Sequence, residues 1–196
     1  MMDVAVAFDH IAAPNGDRTA IVGIGGGASV ILADEFSSAG LSLPKLSDDT
    51  RQKLIGVFPS EAGRIFKNPV DLNHFESPEK FFAALKILDQ NVETDLLAIH
   101  VAFDHFGLIS KVEKEFWVTA FVQLIAQISK EMTKPLSVIL HSYSSPDMKI
   151  LAQKAAVELA SQGIAAFPSI RRAALALSRF VGYHMRRAAS PGSKRH

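Results

Sequence analysis

Short apolar runs alternate with helix-length segments along most of the chain, and this alternation constrains the fold more than any other feature of the sequence. Strands separated by helices of about ten or more residues need crossover connections, which produce a parallel sheet with helices on both faces. Residues 95–101, DLLAIHV, are almost continuously apolar, as is typical of a strand buried on both faces. We therefore expect an α/β fold, a doubly wound sheet of five parallel strands. The expected strands cover residues 19–22, 41–46, 95–101, 135–140 and 164–167.

Capping residues and glycines set the expected ends of the helices. Ser77 followed by Pro78 is typical of a helix start, whereas Gly40 and Gly163 are typical of helix ends. Residues 58–72, FPSEAGRIFKNPVDL, follow neither a helical nor an alternating period and are expected to form an ordered loop without a regular element. The expected helices cover residues 3–13, 28–38, 50–57, 111–130, 146–161 and 170–187, with one more starting at residue 78.

The connection after the first strand holds three consecutive glycines, Gly25, Gly26 and Gly27. Glycine allows a positive φ and a close approach of the backbone, and the first turn of a helix leaves N–H groups without intrahelical partners. Those donors and the helix dipole suit an anion, so we predict a phosphate contact at the three glycines, Ala28 and Ser29. The alternative is that the glycines serve only to turn tightly. The spacing matches neither G-x-G-x-x-G with an acidic ribose partner nor a P-loop.

Histidines and serines near the expected strand ends are the other candidates for chemistry. His100 and His105 flank Asp104, His141 follows a later strand, and a histidine pair with an aspartate can bind a metal or move a proton. The five-residue spacing does not force both rings to one side, and a histidine within an apolar strand is typical of a core residue. We predict no metal site and no catalytic residue in this chain. The strand-end serines lack a G-x-S-x-G context and are interpreted as caps. They are Ser29, Ser142, Ser144 and Ser145.

Charge is distributed unevenly along the 196 residues, whose formal net charge is +1. Residues 171–196 hold seven Lys or Arg and no acid. Such a tail can contact nucleic acid or a membrane, but residues 188–196, AASPGSKRH, have the composition of a solvated linker, so we predict neither partner. The absence of cysteine excludes disulfides and thiolate chemistry. Because no leader and no apolar run of about 18 residues is present, we expect a cytoplasmic protein.

Three stretches together resemble one family. They are GGGASVILADEFSSAGLSLPKLSDDTRQKL, FPSEAGRIFKNPVDL and IAAFPSIRRAALAL. In order and spacing they resemble the second flavodoxin-like domain of the NDP-forming acyl-CoA synthetases, relatives of succinyl-CoA synthetase and ADP-forming acetyl-CoA synthetase. The resemblance covers residues 20–180 and implies a flavodoxin-like fold. In the second stretch Pro69, whose φ is fixed by its ring, lies between Asn68 and Asp71, whose side chains readily form local hydrogen bonds. We interpret these three residues as a supporting loop; an ordinary Asn-Pro turn is the alternative.

The resemblance implies a reaction that joins a carboxylic acid to CoA with cleavage of ATP or GTP, through an acyl phosphate and a phosphohistidine. It implies that this domain presents a helix N-terminus to the phosphohistidine, which agrees with the prediction for the glycine turn. The implied partners are a CoA-binding Rossmann domain, a first flavodoxin-like domain and an ATP-grasp domain, and a homo-oligomer is compatible with the sequence. The resemblance implies ATP or GTP with Mg, and CoA, as cofactors of the whole enzyme. It implies no cofactor bound to this chain alone.

The chain also departs from the family. None of its seven histidines has the His-Thr-Gly context of the phosphorylated histidine, and many relatives have Gly-Pro-Gly where this chain has Gly27, Ala28 and Ser29. We therefore expect a piece of a longer polypeptide, inactive alone, with the end of a helix or linker at residues 1–16, the domain at 17–187 and a flexible basic tail at 188–196.

Two other classes of function stay open. One is a non-catalytic anion- or acyl-CoA-sensing regulatory module. A receiver of that kind would need an acidic cluster, for which Asp104 is the single strand-end candidate. The other is a flavodoxin-type FMN protein.

Overall fold

The structure, a computed structural model, describes residues 2–24, 27–60, 63–104, 111–142 and 146–190. Its helices, in chain order, are α1 (Met2–His10), α2 (Ser29–Ser38), α3 (Asp48–Val57), α4 (Pro78–Asp89), α5 (Lys111–Glu131), α6 (Pro146–Ser161) and α7 (Ile170–Ala189). Its strands are β1 (Thr19–Ile24), β2 (Ile65–Phe66), β3 (Val70–Asp71), β4 (Leu96–Ala102), β5 (Leu136–His141) and β6 (Ala165–Phe167).

In these residues six strands form one sheet in the order β2-β3-β1-β4-β5-β6. Neighbouring strands are parallel except β2 and β3, which pair antiparallel. The prediction of an α/β, doubly wound parallel sheet is confirmed, and the strand count is corrected from five to six by the antiparallel edge strand. The parallel strands alone, numbered along the chain, have the order 2-1-3-4-5 that is typical of flavodoxin-like sheets.

Helices cover both faces of the sheet. Buried side chains of α3, α4, α5 and α6 pack on one face against residues such as Val22 and Ile99, while α1, α2 and α7 pack on the other face against Ile21 and Ala98. Every residue of β4 is buried, which confirms the interpretation of its apolar run. Alternating residues of one strand therefore belong to two separate hydrophobic clusters, and this places α2 and α7 on the same side of the sheet.

Serine caps and glycines set the helix ends, as predicted for Ser77, Gly40 and Gly163. The side chains of Ser47, Ser77 and Ser169 accept hydrogen bonds from backbone N–H groups in the first turns of α3, α4 and α7. Gly40 and Gly163, after α2 and α6, have φ angles of 91° and 77°, the left-handed conformation that glycine adopts without steric cost.

Residues 41–46, expected as the second strand, do not form one. Ser42 makes a single parallel bridge with Arg18, while β3 pairs with β1 on that side. Pro44 has no N–H to donate to a ladder, and its carbonyl accepts a hydrogen bond of 3.1 Å from the side chain of Asn68. The loop that contains Asn68 therefore occupies the position that the sequence suggested for a strand at 41–46.

Residues 58–72, expected to contain no regular element, include β2 and β3. Each of these strands has two residues, which is too short to show a hydrophobic period. The expectation for this stretch is therefore wrong in its secondary structure, although its connection remains mostly irregular.

Candidate anion-binding site at the carboxyl edge of the sheet

The carboxyl ends of β1 and β4 define the candidate site. In a sheet of this order the connections after β1 and β4 leave on opposite sides, and ligands of open α/β sheets bind at such a switch point. The register pairs Gly23 with His100 and Ile24 with Val101 at this edge. The glycine turn follows Ile24 directly.

The start of α2 has no side-chain cap. Ala28 is the N-cap residue, with φ −77° and ψ −12°, and Ser29 is the first residue of the helix. The carbonyl of Ala28 accepts the N–H of Leu32 at 2.8 Å, but the Ala28 side chain has no atom that could accept from the first turn. Gly27 has a φ of +82°, which a residue with a Cβ rarely adopts. Gly25 and Gly26, two further predicted site residues, lie outside the described residues.

The predicted supporting loop lies directly beside β1. The Asn68 side chain accepts the N–H of Ile21 at 3.0 Å and donates to the Thr19 carbonyl at 2.7 Å. Pro69 is buried, and its peptide bond with Asn68 is cis. Asn68 thus satisfies two backbone groups of β1 just before β3 begins to pair with that strand.

Asp71 brings a negative charge to the glycine turn. It is 6% exposed and pairs with Gly23 in the sheet. One carboxylate oxygen accepts the N–H of Asn73 at 2.8 Å, and the other lies 3.4 Å from the N–H of Gly27, at the outer limit of a hydrogen bond. Of the predicted supporting loop, Asp71 therefore contacts the glycine turn at Gly27, whereas Asn68 contacts the first residues of β1, away from the start of α2.

Two histidines lie on the α2 side of the same edge. His100 is fully buried, as predicted for a core histidine, and its ring centroid lies 5.8 Å from that of His141. A Cβ added at Gly23 would be 3.9 Å from Nδ1 of His100 and 4.0 Å from a methyl group of Leu32 in α2. His100 therefore lies beneath the first turns of α2, and His141, the last residue of β5, lies beside it.

Asp104 and Ser142 complete this polar group. The Ser142 hydroxyl is 3.2 Å from a carboxylate oxygen of Asp104. Burial lowers the pKa of His141 below its ordinary value of 6.5, and the Asp104 carboxylate opposes that shift. The described residues contain no cluster of three or more His, Asp or Glu side chains arranged to hold a metal ion. His105, Ser144 and Ser145 lie outside the described residues.

The pairing of His100 with His141 was missed from the sequence, which suggested His100 and His105 instead. A signal was present, because both histidines end apolar runs and each is two residues from an apolar position on the same face, Ala98 and Ile139. Using that signal requires knowing that the two strands are neighbours and in which register they pair.

The fold defines a flavodoxin-like α/β domain. No helix in the described part of the chain has both the length and the apolar character needed to cross a membrane. No protein-family model matches the chain.

Individual relatives do match. The chain is 28% identical over 155 residues to the alpha subunit of ADP-forming acetate–CoA ligase II from Pyrococcus furiosus, covering 79% of this chain and 32% of that protein. A crystal structure from Pyrococcus horikoshii superposes with a TM-score of 0.72 at 25% identity, covering 92% of this chain and 38% of the other.

Further structures show the same fold. Acetyl-coenzyme A synthetase 1 of Candidatus Korarchaeum cryptofilum, described as dinucleotide-forming, superposes with a TM-score of 0.69 at 23% identity over 96% of this chain and 39% of its own. That enzyme has also been solved with phosphate and ADP. The match to the ADP-forming acetate–CoA ligase subunit agrees with the resemblance to the NDP-forming acyl-CoA synthetases that the sequence predicted. The chain spans about a third of the length of the curated relative.

Proposed function

We propose that this chain is a domain of an NDP-forming acyl-CoA synthetase, which converts an acid, CoA and ATP or GTP to acyl-CoA, NDP and phosphate. Within that enzyme the start of α2 receives the phosphoryl group of a phosphohistidine carried by another domain. The observation that carries the proposal is the uncapped start of α2 at the switch point of the sheet. In this proposal the chain alone is inactive, because the phosphohistidine is carried by another domain.

Backbone donors and the helix dipole are what this site offers to a phosphoryl group. A helix N-terminus carries roughly half a positive charge, which favours an anion without a cationic side chain. None of the described site residues is Lys or Arg. The held group must later leave for another acceptor, and the nearby Asp71 carboxylate keeps this site from binding it too tightly.

Other domains supply the rest of the enzyme in this proposal. The matched relative is about three times as long as the aligned part, which leaves room for the CoA-binding Rossmann domain, the first flavodoxin-like domain and the ATP-grasp domain. Nucleotide, Mg and CoA bind to those domains, and no residue of this chain is assigned to them. The proposal retains the cytoplasmic location expected from composition.

A glycine replacement in the complete enzyme tests this role. Gly27→Val places a β-branched side chain at a φ of +82° and beside the donors of α2. We expect phosphohistidine formation and acyl-CoA synthesis to fall by about 100-fold, since loss of one oxyanion donor typically costs that much. Transfer of radiolabelled phosphate from ATP measures phosphohistidine formation, and thioester formation measures acyl-CoA synthesis.

Gly40→Val is the matched control. Gly40 lies at the other end of α2, has a φ of +91° and, like Gly27, has no atom within 4 Å of an added Cβ. Both variants should lose about 1 to 2 kcal/mol of stability from the left-handed conformation. Equal activities in the two variants would contradict the proposed role of the α2 start.

A further inference from the structure

A cavity of about 110 Å³ lies between α4 and α5, on the face of the sheet opposite α2. Trp117 borders this cavity and is 46% exposed, so solvent reaches it beside the indole ring. Six larger side chains surround Ala120 in the lining: Phe75, Pro78, Val101, Trp117, Phe121 and Leu124. The cavity is therefore a feature separate from the start of α2.

The spacing of residues in α5 builds one wall. Trp117, Phe121 and Leu124 recur at intervals of four and three residues, so they lie on one face of the helix with Ala120 among them. Ala120 carries a single methyl group, and the larger neighbouring side chains do not fill the space beside it.

The position of the two helices lets the space persist. α4 packs against α3, and α5 packs against α6, so each helix is held by a neighbour that does not line the cavity in the described residues. Protein interiors are close-packed, and side chains that face a void lose dispersion contacts. A ligand that fills this space would restore those contacts.

The chemistry of the lining selects an apolar ligand. Among the lining side chains that the structure describes, the indole N–H of Trp117 is the one polar group. A buried water needs two to four polar partners, and a buried charge without partners is strongly disfavoured. An apolar cavity of about 150 Å³ stays dry and binds benzene in a protein studied for this purpose, so a cavity of this size suits one small ring.

We propose that the cavity between α4 and α5 is a binding site for a small uncharged apolar molecule, of the size of a single aromatic ring. The ligand packs against Trp117 and Phe121 above Val101 and forms no covalent bond. This inference is independent of the phosphoryl-binding role proposed for the start of α2.

Toluene is the probe, and Trp117 is its reporter because it is the single tryptophan of the chain. We expect toluene to bind the 196-residue chain with a dissociation constant on the order of 1 mM, which for a ligand of this size is an ordinary binding free energy per atom. Trp117 emission should move to shorter wavelength as toluene displaces solvent from the indole. The methyl signals of Val101 and Leu124 should shift in ¹H–¹³C spectra.

Filling the cavity should prevent this binding. Ala120→Leu places additional carbon atoms in the space that toluene needs, and we expect affinity to fall by at least about tenfold. Thr119→Leu is the matched control: it makes the same new side chain at the adjacent exposed position, which does not line the cavity, and should change affinity by less than about twofold.

Two measurements guard against a folding defect. The urea midpoint of Ala120→Leu should equal or exceed that of the native chain, because the added carbon atoms fill a void. Ala120→Val adds fewer carbon atoms and should give an intermediate affinity for toluene.

The outcomes separate this site from the proposed function. Inorganic phosphate should leave Trp117 emission unchanged whether or not it binds at the start of α2. Unchanged Trp117 emission and unchanged Val101 and Leu124 signals at saturating toluene, or native affinity in Ala120→Leu, would overturn the inference. In the complete enzyme toluene should still bind; its exclusion there would show that another domain fills the cavity and would equally overturn a small-molecule site.

Discussion

Asp71 is the described residue that most directly opposes the anion we propose at the glycine turn. Its carboxylate is buried, lies 3.4 Å from the N–H of Gly27 and is held in place by the N–H of Asn73. A negative charge at this position repels a phosphoryl group, while its oxygens also order the turn. The same residue therefore shapes the site and weakens it.

Removing that charge should strengthen binding. Asp71→Asn keeps the shape of the side chain and one acceptor oxygen, so we expect sulfate to bind the 196-residue chain about tenfold more tightly. Asp34→Asn, which removes an exposed carboxylate from α2, is the control and should change affinity by less than about twofold because solvent screens it. Equal gains in the two variants, or none in Asp71→Asn, would show that Asp71 does not face the anion.

Histidine 141 shows the limit of sequence reasoning at the scale of single residues. The sequence identified it as a strand-end residue, and the glycine turn was located from its glycines alone. The sequence could not show that His100 and His141 are neighbours, since that depends on the register of two strands that are 40 residues apart. The burial that lowers the pKa of His141 also arises only from packing.

At the scale of elements, the Asn68 side chain holds the edge of the sheet together. It bonds to Ile21 and Thr19 of β1 and to the carbonyl of Pro44, so one amide joins three segments. It thereby aligns β3, and with it Asp71, beside the glycine turn.

Truncation of this amide should destabilise the fold measurably. Asn68→Ala leaves three backbone groups without their partner, and we expect a loss of about 3 kcal/mol in the free energy of unfolding, measured with urea. Lys67→Ala, at the exposed neighbouring position, should change it by less than about 0.5 kcal/mol. A loss below about 1 kcal/mol in Asn68→Ala would mean that water replaces these contacts.

Long elements were predictable and short ones were not. The run at 95–101 matches β4 (Leu96–Ala102), and the helix at 111–130 matches α5 (Lys111–Glu131), because their periods extend over enough residues to be read. β2 and β3 have two residues each and depend on contacts with β1 made by a loop more than 40 residues away. The strand expected at 41–46 was wrong for the same reason: Asn68 and β3 occupy its place.

At the scale of the whole molecule, the fold and the resemblance to the NDP-forming acyl-CoA synthetases were predictable, whereas the domain limits 1–16, 17–187 and 188–196 stay predictions. The described residues also include a basic helix, α7, whose exposed arginines include Arg171, Arg179, Arg186 and Arg187. On net charge alone, an anion would be expected to bind to that helix rather than to the glycine turn, which has no cationic side chain. The two regions lie on different elements, so the position of a bound anion distinguishes them.

The most direct measurement is therefore a titration of the 196-residue chain with inorganic phosphate at pH 7.5, followed by ¹H–¹⁵N spectra of every backbone amide. The largest shifts should occur at Gly27, Ala28 and Ser29, and Gly27→Val should abolish them while Gly40→Val leaves them in place. Shifts confined to the arginines of α7, or no shifts at the start of α2, would contradict the assignment of a phosphoryl-binding role to this helix.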